Sequence, residues 1–247
     1  EKFGQKNKSY HETKMKLANQ KGYRLITIFS DEWILTPEKV KNTLKQIFGV
    51  NNRTIYARKT QALEVTSKEA NLFYEQNHMI GGDSSGSIHI GLYTDQLELV
   101  ACMSFQKSRG FNRHQKLGDK GYNLVRYSTN GANIPGGASK CLSYFKKKNE
   151  WDFIFTYADL RWSEGNLYKT LGFQDDDVDP PAFYYVPPGY ETREHRFNHR
   201  KKAYKDIFDI EVMTEKEIMD FQGYDRIWDC GRLRYLMVNS QNGTRNY

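Results

Sequence analysis

No stretch of this sequence approaches the roughly 18 consecutive apolar residues that a bilayer-spanning helix needs. Nothing near its start has the basic-then-apolar pattern of a secretion signal, so no membrane partner is expected. Cysteine is scarce: Cys102, Cys141 and Cys230 are odd in number and far apart. They form no CxxC pair and no Cys/His cluster, which argues against a disulfide framework or a zinc site and fits a reducing cytoplasm. His78 and His89 have no companion at metal-ligand spacing. Internal repeats and low-complexity tracts are also missing, which excludes solenoid architectures.

Acidic residues are outnumbered, 30 against 37 Lys and Arg, for a net charge of +7. A surplus of that size attracts polyanions, and phosphate backbones are the commonest of these. The excess is clustered. Between Arg193 and Lys205 lie Arg193, His195, Arg196, His199, Arg200, Lys201, Lys202 and Lys205, opposed by Glu194. A second basic stretch contains Lys107, Arg109, Arg113, His114, Lys116 and Lys120, interrupted by glycines that predict a loop. Aromatic neighbours (Phe111, Tyr122, Phe197, Tyr204) suit backbone contact combined with base stacking. A nucleic acid, DNA or RNA, is therefore the expected partner. Oligomeric state is not legible in the sequence.

The apolar pattern predicts a helix from Tyr10 to Lys21 and a buried strand from Tyr23 to Phe29. A helix from Pro37 to Phe48 follows, with Thr36 as N-cap, Pro37 at its first position and Gly49 at its stop. One strand cannot form a sheet alone, and Gly49–Arg53 reads as a domain boundary. Beyond it the pattern predicts a strand at 54–58 and a helix at 67–77, then a hairpin of strands 87–93 and 97–105. A strand at 122–128, a helix at 136–147, a strand at 152–157, a helix at 163–171 and a last strand at 182–186 complete the order. This is an α/β arrangement, a mixed sheet flanked by helices. The remainder is a basic tail, an acidic helix near 214–221 and an aromatic closing segment, Tyr224–Gly231. Three regions result: 1–49, 50–192 and 193–247.

Two features carry a family resemblance across about residues 54–190: Ile134-Pro135-Gly136-Gly137-Ala138-Ser139-Lys140, and Asn166-x-Tyr168-x-x-x-Gly172-Phe173. With the element order, they resemble the GNAT acyltransferases. The resemblance implies that Gly136, Gly137, Ser139 and Lys140 hold the pyrophosphate of a coenzyme A derivative at a helix N-terminus. It also implies that Asn166 and Tyr168 lie near the pantetheine arm. Against this, the glycines suit any tight turn into a helix, and Pro135, Tyr144, Phe145 and Tyr157 are expected to close part of the cleft. Asp159-Leu160-Arg161-Trp162-Ser163 suggests a buried Asp–Arg pair, with phosphate contact by Arg161 as the other reading.

Residues 8–33, Lys-Ser-Tyr-His-Glu-Thr-Lys through Phe-Ser-Asp-Glu-Trp, resemble the closing helix and strand of very-short-patch-repair-type nucleases. They also resemble the related EDxHD group of phage homing endonucleases, of the PD-(D/E)xK-like fold. The resemblance places His11 and Glu12 at that group's His-Asp pair, with Glu12 as a ligand of catalytic Mg²⁺. Glu12 departs from Asp by one methylene. The group's upstream acid falls before Glu1, so DNA cleavage is expected only where that segment is present.

The leading expectation is a DNA-binding protein of the homing endonuclease family, in the host-cell cytoplasm for a phage protein. Its nucleic-acid contacts are expected at Lys107, Arg109, Arg113, Lys116, Arg161, Arg193, Arg196, Arg200, Lys201 and Lys202. The alternatives are a GNAT-like acyltransferase modifying nucleobases, as in Mom-like phage proteins, and a catalytically inactive DNA-binding module.

Overall fold

The computed structural model describes residues 7–51, 53–82, 85–108, 113–189 and 192–240. Chain contacts divide it into two compact units. The first comprises residues 1–35, 158–164 and 178–233, and the second residues 36–157, 165–177 and 234–247. The division next to the N-terminal region thus falls at Leu35/Thr36, and the helix at 37–48 belongs to the second unit.

The second unit begins with α3 (Pro37–Phe48), which follows α1 (Tyr10–Gln20) and α2 (Ser30–Leu35) of the first. Pro37 starts α3, and Gly49 stops it at φ 68°, a left-handed conformation that costs glycine nothing. Next come β1 (Gln61–Glu64), α4 (Ser67–Asn77), β2 (Ile88–Tyr93), β3 (Leu99–Lys107), β4 (Gly121–Thr129), α5 (Gly137–Lys148), β5 (Phe153–Asp159), α6 (Asn166–Thr170) and β6 (Gln174–Asp179). The strands form a seven-stranded sheet ordered β1-β2-β3-β4-β5-β10-β6, where β10 is Arg232–Val238. Strands β1 to β4 pair antiparallel, and β4 pairs parallel with β5. The mixed sheet flanked by helices expected from the sequence is therefore present.

Helices cover both faces of this sheet. Neighbouring residues of a strand point to opposite faces. Ser104 of β3 meets the Tyr74 hydroxyl of α4 at 2.6 Å, whereas Phe105 stacks on Phe145 of α5 with ring centroids 3.7 Å apart. Tyr74, Phe105 and Phe145 are all fully buried. Packing of this kind, at roughly 25 cal/mol per Å² of apolar surface, is what holds the sheet and its helices together.

Strand β4 is irregular in its pairing on both sides. Its register with β3 shifts between Ser104 and Phe105, where Arg126 and Leu124 are the successive partners and Val125 is the extra residue. The β4–β5 pairing runs from Gly121↔Phe153 to Leu124↔Thr156. The later residues of β4, from Val125 on, therefore have no partner on β5.

The first unit holds α1, α2, a three-stranded sheet and α7 (Glu215–Phe221). The sheet is ordered β8-β7-β9, from β7 (Phe183–Val186), β8 (Glu194–His195) and β9 (Asp225–Trp228). A reciprocal capping box between Thr214 and Glu217 starts α7.

Three expected elements differ. Residues 23–29 form no strand: they lie outside both sheets, with Thr27 N–H donating to the Arg161 carbonyl. Ala57–Lys59, overlapping the end of the expected strand at 54–58, is a 3₁₀ turn, and the first strand lies at Gln61–Glu64. The strand at 183–186 belongs to the small sheet, while the large sheet is completed by β6 and β10.

Candidate functional site

A concavity beside the glycine turn lies in the second unit. It is a cleft of about 330 Å³ lined by Thr54, Tyr127, Thr129, Gly136, Gly137, Ser139 and Leu167, among others. The expectation that Pro135, Tyr144, Phe145 and Tyr157 would close it is corrected. Phe145 is drawn into the core by its stack on Phe105, and Tyr157 packs edge-on against Phe155, so neither lines the space.

The turn builds the cleft through backbone geometry. Gly136 caps α5 at φ 78°, and a Cβ on Gly137 would stand 2.8 Å from both Ile134 Cγ2 and the Tyr127 hydroxyl. No larger residue fits at position 137 without displacing one of these. The first amides of an α-helix have no intrahelical acceptor. Those of Ala138 and Ser139 therefore offer donors and the positive end of the helix dipole at the cleft wall. Tyr127 adds a phenol whose pKa burial pushes up, keeping it protonated across the physiological range.

Lys140 is not part of this wall. Its ammonium donates to the Ala57 carbonyl at 2.8 Å and to the Thr60 carbonyl, tying the turn to the start of β1. Asn166 is exposed at the start of α6 and does not line the cleft. Tyr168 packs on Tyr235, with centroids 5.3 Å apart, and donates to the Tyr157 carbonyl at 3.4 Å. Burial raises its pKa, and its role is packing. Of the six expected cofactor residues, the structure brings Gly136, Gly137 and Ser139 together at the cleft and places Lys140, Asn166 and Tyr168 elsewhere. Tyr127 and Thr129, which no motif marked, line it.

The first unit contains a buried ionic cluster instead. Arg161, its side chain 5% exposed, meets Asp159 at 2.9 Å and Glu32 at 2.8 Å. Arg193 meets Asp31 at 2.8 Å and Glu32 at 3.0 Å. Both guanidiniums lie over the buried Phe29 ring, at 4.7 and 3.9 Å from its centroid. Glu32 also accepts the Phe29 amide at 3.0 Å. The Asp–Arg pairing suggested by Asp159-Leu160-Arg161 is present. Both guanidiniums spend donors on carboxylates, which sets Arg161 and Arg193 apart from the exposed cations expected to contact phosphate. Close by, Asp229 accepts the amides of Ala182 and Gly231, both at 2.8 Å, and burial raises its pKa.

The remaining basic candidates separate into presented and committed side chains. Arg196, Phe197, Arg200 and Lys202 are exposed. The Arg200 and Arg196 guanidiniums stand 4.4 and 5.4 Å from the Phe197 ring centroid. Among the described residues, no ion pair engages Arg196, Arg200, Lys201 or Lys202. His199, by contrast, is buried between the Tyr204 hydroxyl and Glu194, each at 2.6 Å. Arg113 pairs with Asp177 at 3.1 Å on the surface, while Lys107 and Lys116 are exposed. Arg109 lies outside the described residues.

His11 and Glu12 lie at the start of α1. The His11 ring meets Phe29 edge-on at 5.6 Å, and Glu12 pairs with Lys16 at 2.5 Å. Among the described residues, no group of three or more His, Cys, Asp or Glu is placed to hold a metal ion. Glu12 thus gathers no companion ligands there. Also among these residues, no helix is long and apolar enough to cross a membrane. Cys102, Cys141 and Cys230 are free and buried.

No family model matches the sequence, and no curated protein matches it either. Among solved structures, the backbone is similar to the spermidine/spermine N-acetyltransferase SpeG from Vibrio cholerae in complex with manganese ions. That likeness has 9% identity over 77% of this chain and 99% of that one, with a TM-score of 0.39. Mutant forms of the same enzyme give 9% identity, coverage of 76% and 98%, and a TM-score of 0.36. At these TM-scores the likeness carries no argument, and the fold rests on the strand order and register of the sheet itself.

Proposed function

We propose that this chain is a GNAT-like acyltransferase that takes its acyl group from a coenzyme A-class donor and acts on a nucleic-acid acceptor. The observation that carries the reading is the cleft at the start of α5, where Gly137 packs so closely on Ile134 and Tyr127 that no side chain can replace it without a shift. Its donor set fits a pyrophosphate through the Ala138 and Ser139 amides and the Ser139 hydroxyl. The fit does not extend to a cation, since Lys140 is held by two carbonyls. When bound, the donor supplies an activated thioester. The chain's own contribution is to hold the phosphates at the α5 N-terminus and to keep a protonated phenol, Tyr127, in the cleft wall.

Calorimetry with coenzyme A tests this reading. Ser139→Glu places a carboxylate in the first turn of α5, where it favours the helix dipole and leaves folding intact, yet repels an incoming phosphate. Binding by the wild-type chain that is lost in Ser139→Glu at unchanged melting temperature supports the reading. Absence of binding by the wild-type chain at millimolar coenzyme A refutes it.

A second reading is favoured by the Arg196–Phe197–Arg200 face. It makes the chain a DNA-binding member of the homing endonuclease family, with the sheet as scaffold. Two guanidiniums on an exposed aromatic ring, with no acid paired to them among the described residues, suit phosphate contact beside a stacking surface. Duplex DNA titrated at several salt concentrations tests it. Binding that changing Arg196, Arg200, Lys201 and Lys202 together to Ala leaves untouched would rule that face out.

A further inference from the structure

A second concavity of the second unit belongs to neither reading. It is a groove of about 740 Å³ at the carboxyl end of α5, bordered by Lys120, Lys146, Lys147, Trp151, Met237 and Asn239, with Glu150 at its edge. Lys120 and Glu150 pair with each other at 2.5 Å and cancel. Lys146 and Lys147 remain, and among the described residues no carboxylate engages either. The Lys146 ammonium is held in place, 4.9 Å from the centroid of the buried Trp151 ring and 3.9 Å from the Met237 sulfur. Asn239 fixes the floor by donating to the Trp151 carbonyl at 2.9 Å.

Lysines in a last helical turn ordinarily do no more than offset the helix dipole, equivalent to about half a negative charge. Two unopposed ammoniums exceed that by more than one full charge, and the wall they occupy is concave. We propose that this groove binds phosphate groups, using Lys146 as an oriented cation and Lys147 as its partner. A phosphate chain is the matching chemistry, because its successive negative charges can reach two ammoniums that line the same groove at separate points. Such a chain is found in free polyphosphate and in a nucleic-acid backbone.

The test uses the full chain, with inorganic tripolyphosphate and a short DNA duplex as separate probes. Lys146→Gln/Lys147→Gln is compared with Lys148→Gln. Lys148 is a neighbour at the same helix end that lies outside the groove, beside Tyr144. Tripolyphosphate affinity is expected to fall about tenfold in the double variant and to stay unchanged in Lys148→Gln, with all three chains melting alike. If the natural ligand is a nucleic-acid backbone, the duplex arm also responds. The slope of log K against log salt then becomes shallower by about 2 in the double variant. A response to tripolyphosphate alone assigns the groove to free polyphosphate. Absence of tripolyphosphate binding, or equal losses in the double variant and Lys148→Gln, would overturn the proposal, since net charge alone would then explain the result.

Discussion

Arg161→Gln separates a structural arginine from a phosphate-binding one. In the native chain the guanidinium spends its donors on Asp159 and Glu32 and covers one side of Phe29, with its side chain 5% exposed. Glutamine is shorter and neutral. It leaves Glu32, 11% exposed, and Asp159, 29% exposed, near each other with Arg193 as the remaining cation. Removing one partner of a buried ion pair costs about 3–5 kcal/mol, mostly because the abandoned charge stays desolvated. Against a typical domain stability of about 5–15 kcal/mol, that is roughly a fifth or more of the total. Urea unfolding followed by circular dichroism should show the midpoint falling with the slope unchanged. Arg161→Lys should lie in between, because one ammonium keeps the charge but cannot fork to both acids. A loss below about 1 kcal/mol in Arg161→Gln, together with weakened DNA binding, would refute the reasoning and return Arg161 to the phosphate-contacting set.

Asp229→Asn keeps a carbonyl oxygen for the amides of Ala182 and Gly231 while removing a desolvated charge. Because the folded pKa of Asp229 is raised, its stabilising contribution is full below the ordinary carboxylate pKa and is lost as pH rises through the folded value. Asp229→Asn should therefore match or exceed wild-type thermal stability at pH 7, and the difference should vanish on acidification toward about pH 4. An Asp229→Asn chain less stable than wild type at pH 7 would contradict this. Phe145→Ala, at a fully buried ring stacked on Phe105, should cost about 3–5 kcal/mol by thermal melting. A small shift would mean that α5 is not anchored there. Changing Arg196, Arg200, Lys201 and Lys202 together to Ala should leave the melting temperature nearly unchanged and weaken duplex binding at every sequence alike. A sequence-dependent loss would indicate base readout instead.

The elements legible in the sequence were those written in local chemistry. Thr36, Pro37 and Gly49 delimit α3, the alternating run after Ser87 marks the hairpin, and Gly136-Gly137 marks the start of α5. What escaped depends on distant partners. Gln174–Asp179 is acidic and unlike a strand by propensity. It forms β6 at the sheet edge, where Asp176 and Asp177 meet Arg234, and Asp179 meets Arg232. Such cross-strand charge pairs offset a poor propensity. Residues 232–238 enter the sheet between β5 and β6, an order that no periodicity encodes. The apolar run 23–29 has strand composition but no ladder, because its amides meet single carbonyls such as that of Arg161. At the candidate site, Gly136, Gly137 and Ser139 were legible as a turn. Lys140 and Tyr168 were misplaced because a motif cannot show that a side chain points back to a carbonyl or into the core.

Whether the cleft at the start of α5 takes a coenzyme A-class ligand is tested most directly by isothermal titration of coenzyme A into the wild-type chain and into Ser139→Glu. Saturable binding to the wild-type chain is expected, with none to a Ser139→Glu chain that melts at the same temperature. Equal binding by both chains, or binding by neither, would contradict the proposed cofactor site.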